Sequence, residues 1–206
     1  VNNTIYTGVL QDGGGVLSLT KQGTGMLTLT NANAYSGATT IISGTLAISG
    51  AGSLGGGSYA GNISNAGVFL YSSSVNQSLS GVISGAGTLV QDGPGALSLS
   101  NVNTYTGSTT IGSGASLSIT GAGQLNAGSY AGSISNSGTF NYNSSASQTL
   151  SGVISGAGTL VQNNGNLTLS NLNTYSGETT ANGGVLTLYN GGGTGAIQGV
   201  LNINSG

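Results

Sequence analysis

Residues 27–40 read LTLTNANAYSGATT, and close copies follow at 97–110 as LSLSNVNTYTGSTT and at 167–180 as LTLSNLNTYSGETT, so the spacing between copies is constant. A second block, YAGNISNAGVFLYSSSVNQSLSGVISGAGTLVQ at residues 59–91, returns with few changes at residues 130–162. Self-similarity at a fixed period is the signature of repeat architectures, in which neighbouring units bury one another's apolar faces. The chain is therefore expected to be a stack of similar units.

Within each unit, apolar and polar residues alternate over short runs such as LSL at 97–99 and LSI at 117–119. Gly, Asn or Asp bounds each run, and β-branched residues are frequent, which is typical of short strands joined by turns. Glycine interrupts the chain too often for amphipathic helices. We predict an all-β fold, a right-handed parallel β-helix (solenoid) of roughly nine coils with three strands per coil. The handedness is implied by a resemblance that is described below. It would be a single continuous solenoid over residues 1–206 with internal repeats of about 70 residues, in units near 27–96 and 97–166 and an incomplete unit at 167–206.

Differences between the copies indicate which side chains face the core. The apolar residues at positions 68 and 70 become polar in the next copy, whereas Phe69 and Tyr71 are kept as Phe140 and Tyr142. Because a shift of one residue moves a whole strand to the other face, the unchanged positions are expected inside. The same reasoning predicts stacked core rows that contain Ile63 with Ile134, Leu79 with Leu150, Leu89 with Leu160, and the Leu-x-Leu pairs at 27/29, 97/99 and 167/169.

The chain carries almost no charge. Of its 206 residues only Asp12, Lys21, Asp92 and Glu178 are charged, and the net charge is −2. Without a basic stripe, nucleic acids and anionic membranes lack the main force that attracts them. The apolar runs are also far shorter than the ~18 residues of a membrane helix. We expect no nucleic-acid partner and no direct membrane insertion of this segment.

The composition also argues against a catalytic, cofactor-binding or metal-binding site. Histidine and cysteine are absent, which removes disulfides, two metal ligands and the commonest general base. Asp12 and Asp92 both lie in Gln-Asp-Gly, and the third copy has Asn163 instead, so a turn role explains them better than acid–base or calcium chemistry. Residues 50–55 fit G-x-G-x-x-G, but no helix follows to bind a dinucleotide. We predict no catalytic, cofactor-binding or metal-binding residues, and hence no enzyme.

One repeated loop carries a tyrosine in every copy. These candidate partner-contact residues are Tyr35, Tyr105 and Tyr175, which follow Asn31, Asn101 and Asn171. Two interpretations stay open. In one, the asparagines bond the neighbouring backbone and the rings cover the turn. In the other, the rings form a row of contacts ~14 Å apart that meets a glycan or a partner protein.

The motif L-T-L-S-x-x-N-T-Y-S-G-x-T-T resembles the passenger-associated transport repeat of bacterial autotransporter passenger domains. The resemblance covers residues 27–46, 97–117 and 167–186, and the segments between them look like the same solenoid in freer form. It implies a right-handed parallel β-helix on the outer surface of a Gram-negative bacterium, carried there by a C-terminal outer-membrane barrel that is not present in this chain. The absence of cysteine suits a chain that crosses the periplasm unfolded.

Two functional hypotheses follow. In the first, the chain is a non-catalytic extracellular stalk or adhesin segment that contacts host, matrix or a neighbouring cell through many neutral hydrogen bonds. In the second, it is a subunit of a self-assembling extracellular filament or layer. A solenoid leaves strand edges open at both ends, and such edges template the addition of another chain.

Overall fold

The computed structural model describes residues 2–189 and 197–204. These residues form short strands and two single 3₁₀ turns, at Gly55–Gly57 and Asn126–Gly128. The strands are Thr4–Tyr6 (β1), Leu19–Lys21 (β2), Met26–Leu29 (β3), Thr39–Ile41 (β4), Thr45–Gly50 (β5), Ser58–Tyr59 (β6), Ile63–Asn65 (β7), Val68–Ser73 (β8), Gln77–Leu79 (β9), Ile83–Ser84 (β10), Thr88–Gln91 (β11), Leu97–Leu99 (β12), Thr109–Ile111 (β13), Ser116–Gly121 (β14), Ser129–Tyr130 (β15), Ile134–Asn136 (β16), Thr139–Ser144 (β17), Ser147–Leu150 (β18), Ile154–Ser155 (β19), Thr159–Gln162 (β20), Asn166–Leu169 (β21), Thr179–Ala181 (β22), Val185–Leu188 (β23) and Leu201–Ile203 (β24).

The strands pair in parallel and line three faces of a solenoid. Face one contains β1, β3, β5, β8, β11, β13, β16 and β19, and face two contains β6, β9, β12, β14, β17, β20, β22 and β24. Face three holds two four-stranded sheets, β2, β4, β7 and β10 and then β15, β18, β21 and β23. Between these sheets, the backbone of Asn103 bonds Gln124 and that of Thr104 bonds Ile83, so face three continues through this segment.

The turns of the solenoid differ in length. Among the paired strands, a short turn runs from Leu27 to Leu46 and a long one from Thr109 to Ile134. The prediction of a parallel β-solenoid is confirmed, and its length of about 10 turns is close to the nine coils expected. The right-handed winding implied by the family resemblance stays a prediction. No helix in the described ranges is long and apolar enough to span a membrane.

The predicted core rows are confirmed. Phe69, Tyr71, Phe140 and Tyr142 are fully buried, and so are the paired isoleucines and leucines of the expected rows. Leu27, near the first turn, is only partly buried, because fewer coils cover it. The parallel register stacks apolar side chains of successive coils on one another, for example Leu46 on Phe69 and Phe69 on Leu89, so each coil covers apolar residues of the next.

Successive repeats are rotated about the solenoid axis. Strand β3 belongs to face one, its equivalent β12 to face two, and the third copy β21 to face three. Each repeat therefore winds three full turns and one further face, rather than three turns. Equivalent residues of neighbouring repeats point in three different directions.

Candidate functional site

The repeated tyrosine loop is the candidate site indicated by the sequence, and the structure places its rings inside. Tyr35, Tyr105 and Tyr175 each have 0% exposure. The idea that these rings themselves contact a partner is therefore wrong. The rings do support the turn, but they lie beneath it in the core rather than over its outer surface. A contact through the exposed residues of the same loops stays a prediction.

The rings are held by a hydrogen-bonded relay that joins two coils. The Tyr35 hydroxyl and the Tyr59 hydroxyl each lie 2.8 Å from the Thr39 hydroxyl, and the Tyr59 hydroxyl also donates to the carbonyl of Gly37. Burial raises the pKa of Tyr35 and of Tyr59 above that of a free tyrosine. The hydroxyls are therefore neutral hydrogen-bonding groups at physiological pH.

The second repeat builds the same relay, and the third builds half of it. Thr109 lies 2.8 Å from both the Tyr105 and the Tyr130 hydroxyls. In the third repeat Tyr175 bonds Thr179, and Ile197 packs against the core at the position that corresponds to the second tyrosine. The relay is thus a recurring element of the core.

A buried asparagine beside each tyrosine clamps adjacent coils. The Asn33 Oδ1 atom accepts from the amide of Leu10 at 2.9 Å, and its Nδ2 atom donates to the carbonyls of Asn31 and Ser53. In the second repeat, Asn103 makes the same contacts with Ile83, Asn101 and Gln124. Each asparagine side chain thus makes hydrogen bonds to backbone N–H and C=O groups of the irregular loop and of the adjacent coils, and such groups need a partner when they are buried.

The first asparagine of the motif bonds the backbone, as one interpretation of the sequence expected. Asn101 Nδ2 donates to the carbonyl of Ser80 at 2.8 Å, and Asn171 Nδ2 donates to that of Ser151 at 2.8 Å. Asn31 makes the equivalent bond to Thr7. This part of the motif therefore supports the loop from the preceding coil.

The three loops do not form a row. The first follows a strand of face one, the second a strand of face two and the third a strand of face three. A straight partner lying along the solenoid would meet one of them. The expected row of contacts is therefore wrong, because the repeat is one face longer than three full turns.

The inward-facing residues of the loop are kept between copies, whereas several of the outward-facing ones differ. The second asparagine, the tyrosine, the glycine and the final pair of threonines recur in all three copies. The exposed tip residue is Ala32, Val102 or Leu172. The residue before the threonine pair is Ala38, Ser108 or Glu178. The motif therefore specifies how the loop is built and leaves some of its outward positions free to vary.

The few charged groups are used locally. Asp12 accepts from the Ser36 hydroxyl at 2.6 Å and from the Leu17 amide at 2.8 Å, which lowers its pKa. Glu178 accepts from Thr180 and Asn202, which lowers its pKa in the same way. Lys21 is buried, and its ammonium donates to three backbone carbonyls. Among the described residues, no three His, Cys, Asp or Glu side chains come together in a group that could hold a metal ion.

Sequence reasoning missed the buried polar side chains. The buried polar residues include Lys21, Asn33, Asn65, Gln77, Gln91, Asn103, Asn136, Gln148, Gln162 and Asn173. Their signal was strict alternation: Asn33, Tyr35, Thr39 and Ile41 all have odd numbers and all face inward. Extending the period of two from Ile41 back through the loop would have placed both the asparagine and the tyrosine inside.

Comparison with known families agrees with the repeats. A family model described as the passenger-associated-transport-repeat matches residues 19–48, 89–119 and 162–188. Each match contains one tyrosine loop with its relay threonine and the strand that follows. The resemblance stated from the motif is confirmed. No solved structure matches the chain significantly.

A curated relative carries a similar stretch. The chain is 38% identical to part of the adhesin BmaC autotransporter of Brucella suis biovar 1 (strain 1330). The aligned region covers 48% of this chain and 4% of the relative. The chain thus corresponds to a small part of the length of that much longer protein.

Proposed function

We propose that this chain is a non-catalytic structural and adhesive solenoid within an autotransporter passenger domain. The passenger-associated transport repeats support this proposal. Autotransporter passengers are displayed on the bacterial cell surface, so the chain works outside the cell. Its task is to hold contact surfaces away from the membrane and to meet host, matrix or neighbouring-cell surfaces along its faces. The relative whose name describes an adhesin supports this role.

One observation carries the proposal: chemistry-bearing side chains are used to build the solenoid itself. The repeated tyrosines and asparagines are buried and bonded to neighbouring coils. The surface that remains outside is almost uncharged, with Ser, Thr and Asn in many outward positions of the strands and scattered exposed apolar side chains such as Ile42 and Leu172. Such a surface has many hydrogen-bonding groups and almost no charge, which suits broad and weak contacts better than a reaction.

Adhesion can be tested with inert beads that carry the purified chain. We expect these beads to attach to host cells, matrix-coated surfaces or bacteria, and uncoated beads to attach less. Because neutral contacts are not screened by salt, attachment should change little between about 0.05 and 0.5 M salt. Beads carrying heat-unfolded chain are the matched control. Equal attachment by folded and unfolded chain, or none by either, would contradict the proposal.

A second candidate, end-to-end assembly, is favoured by the last described coil. Leu201 and Ile203 pair with inward-facing residues of β22, yet they are 40% and 60% exposed. An amide ladder runs in the same direction, from Asn163 to Asn182 at 2.8 Å and on to Asn204 at 2.7 Å. A further coil, from the same protein or from a second copy, would extend both features.

Assembly predicts uniform fibres by electron microscopy, with an axial repeat near the length of one chain. Ile203→Lys places a charge on the inward face of the last strand and should abolish fibres. Asn202→Lys, on the outward face of the same strand, is the control and should leave them intact. Monodisperse monomers at high protein concentration would favour the stalk or adhesin over the filament.

A further inference from the structure

At three corners of the solenoid, equivalent positions of the three repeats hold a buried polar side chain. Lys21, Gln91 and Gln162 each end a strand, face inward and are at most 6% exposed. The turns that follow them span 22–25, 92–96 and 163–165, whereas the turn after Asn65 spans only 66–67. The longer side chains, lysine and glutamine, therefore lie at corners with longer turns, and the shorter Asn65 lies at a corner with a short turn.

These corners point backbone carbonyls at the buried side chain. Lys21 Nζ donates to the carbonyls of Gln22 at 3.2 Å, Gly23 at 2.7 Å and Ser43 at 3.1 Å. All three ammonium hydrogens therefore have a partner. The corner around Lys21 presents acceptors, and the lysine head group is a pure donor that matches them.

At the other two corners, the glutamine amide donates to the backbone carbonyls as the lysine does, but its oxygen finds no donor. Gln91 Nε2 donates to the carbonyls of Gly93 at 3.1 Å and Gly95 at 2.6 Å, and Gln162 Nε2 donates to that of Gly165 at 3.0 Å. An amide also brings an acceptor. Within the described part of the chain, no group donates to Gln91 Oε1 or to Gln162 Oε1, although both atoms are buried.

Neighbouring donors are already used. Tyr71 is paired with Gln91 across the ladder, and its hydroxyl donates to the carbonyl of Val75 at 2.5 Å. Tyr142 is paired with Gln162, and its hydroxyl donates to the carbonyl of Ala146 at 2.7 Å. Turning the amide over would aim its oxygen at the glycine carbonyls, which repel it. A small donor from outside the protein is the remaining partner.

We propose that each glutamine corner binds one internal water molecule, which donates a hydrogen bond to Oε1 of Gln91 or of Gln162. Water supplies two donors, and buried water in proteins makes hydrogen bonds to polar groups that lack another partner. The oxygen atom of Tyr71 or Tyr142 keeps a lone pair that can accept the second hydrogen. The lysine corner binds no such water, because an ammonium leaves no acceptor unpaired.

A crystal structure of the folded chain at high resolution tests the proposal directly. We expect a water molecule within hydrogen-bond distance of Oε1 in both glutamine corners. We expect no equivalent water beside Lys21 Nζ, because that corner has no unpaired side-chain oxygen. Three findings would overturn it: a dry corner, a protein donor turned onto Oε1, or a metal cation held by oxygen ligands alone. Lys21 serves as the internal control within the same crystal.

Two lysine substitutions provide a second test in solution. Gln91→Lys recreates the donor-only head group of Lys21, displaces the water and should leave the melting temperature within about 3 °C of the original. Gln77→Lys is the matched control, because Gln77 Oε1 accepts from the Leu54 amide at 2.7 Å and a lysine would leave that amide unpaired. The control should lose about 6 °C or more. An equal loss in both variants would contradict an acceptor-lined corner at Gln91.

Discussion

The ring of Tyr59 meets the ring of Tyr35 edge-on in the core, with the centroids 5.5 Å apart and the planes at 66°. Tyr130 meets Tyr105 in the same way, at 5.5 Å and 62°. In both pairs one threonine hydroxyl lies between the two phenol groups. The repeated motif thus supplies a polar joint between coils inside an otherwise apolar core.

We predict that Thr109→Val lowers the free energy of unfolding by about 1–3 kcal/mol, because valine keeps the shape but removes a partner from two buried hydroxyls. Chemical denaturation followed by circular dichroism measures the change. Thr110→Val is the matched control, since Thr110 points outward from the same strand. A loss at Thr110 as large as that at Thr109 would show that the relay contributes nothing beyond the propensity of the strand.

A second prediction concerns pH. Burial raises the pKa of Tyr35, Tyr105 and Tyr175 above the usual value of about 10. The unfolded chain therefore releases these protons first, so the stabilising contribution is complete below pH ~10 and is lost as the pH rises further. The melting temperature should fall above that pH.

Between pH 5 and pH 9 the same titration should be nearly flat. The chain has no histidine, and hydrogen bonds lower the pKa of Asp12 and Glu178, whose contribution is lost only as the pH falls below about 4. Both carboxylates are exposed, so this acid loss should be small. Melting temperatures recorded from pH 5 to pH 9 should agree closely, and a marked step between pH 6 and 8 would contradict this account.

Much of the fold follows from comparing the copies, because burial restrains a position and exposure frees it. Phe69 and Phe140 kept their identity while their neighbours changed, and both are buried. The same comparison failed at Tyr35 because a tyrosine in a glycine-containing loop is compatible with either face. Only the continuation of the strand alternation through Thr39 distinguishes them.

The rotation of the repeats could not be obtained from the period alone. A spacing of about 70 residues is compatible with three coils of about 23 residues each. The structure instead combines short turns, such as the one from Leu79 to Leu99, with longer ones, such as the one from Leu117 to Phe140. The difference lies in the corner lengths, which depend on turn geometry that the apolar pattern does not specify.

A third prediction concerns glycines at which the backbones of two adjacent coils lie in close contact. A Cβ added to Gly152 would lie 2.2 Å from the carbonyl oxygen of Gly132 in the preceding coil, and Gly81 faces Gly61 in the same way. We expect Gly152→Ala to lower the free energy of unfolding by about 1–3 kcal/mol, because the coils must separate to accept the methyl group. Thermal unfolding measures the loss.

Gly14→Ala is the control for that substitution. A Cβ at Gly14 meets no atom within 4 Å, so alanine there should be neutral or slightly stabilising through its effect on the unfolded chain. A Gly152→Ala variant as stable as Gly14→Ala would mean that the coils at this corner lie further apart than the structure shows.

The rotation of successive repeats places equivalent residues on different faces. Ser98 faces outward from β12, and Val161 lies three coils further along the same column, through Ser118 and Asn141. Thr168 is the residue that corresponds to Ser98 in the next repeat, but it lies on face three. The residue that lies in line with Ser98 is therefore not its sequence equivalent.

Spin labels attached to cysteines test this rotation. Labels at Ser98 and Val161 should be separated mainly along the axis, by about 14 Å before the label arms are added. The pair at Ser98 and Thr168 should be clearly further apart, because the path between them also crosses an edge of the solenoid. Pulsed electron paramagnetic resonance measures both distances with Ser98 as the shared site. Equal distances would mean that the repeats lie in line, and the three-directional display of their loops would then be wrong.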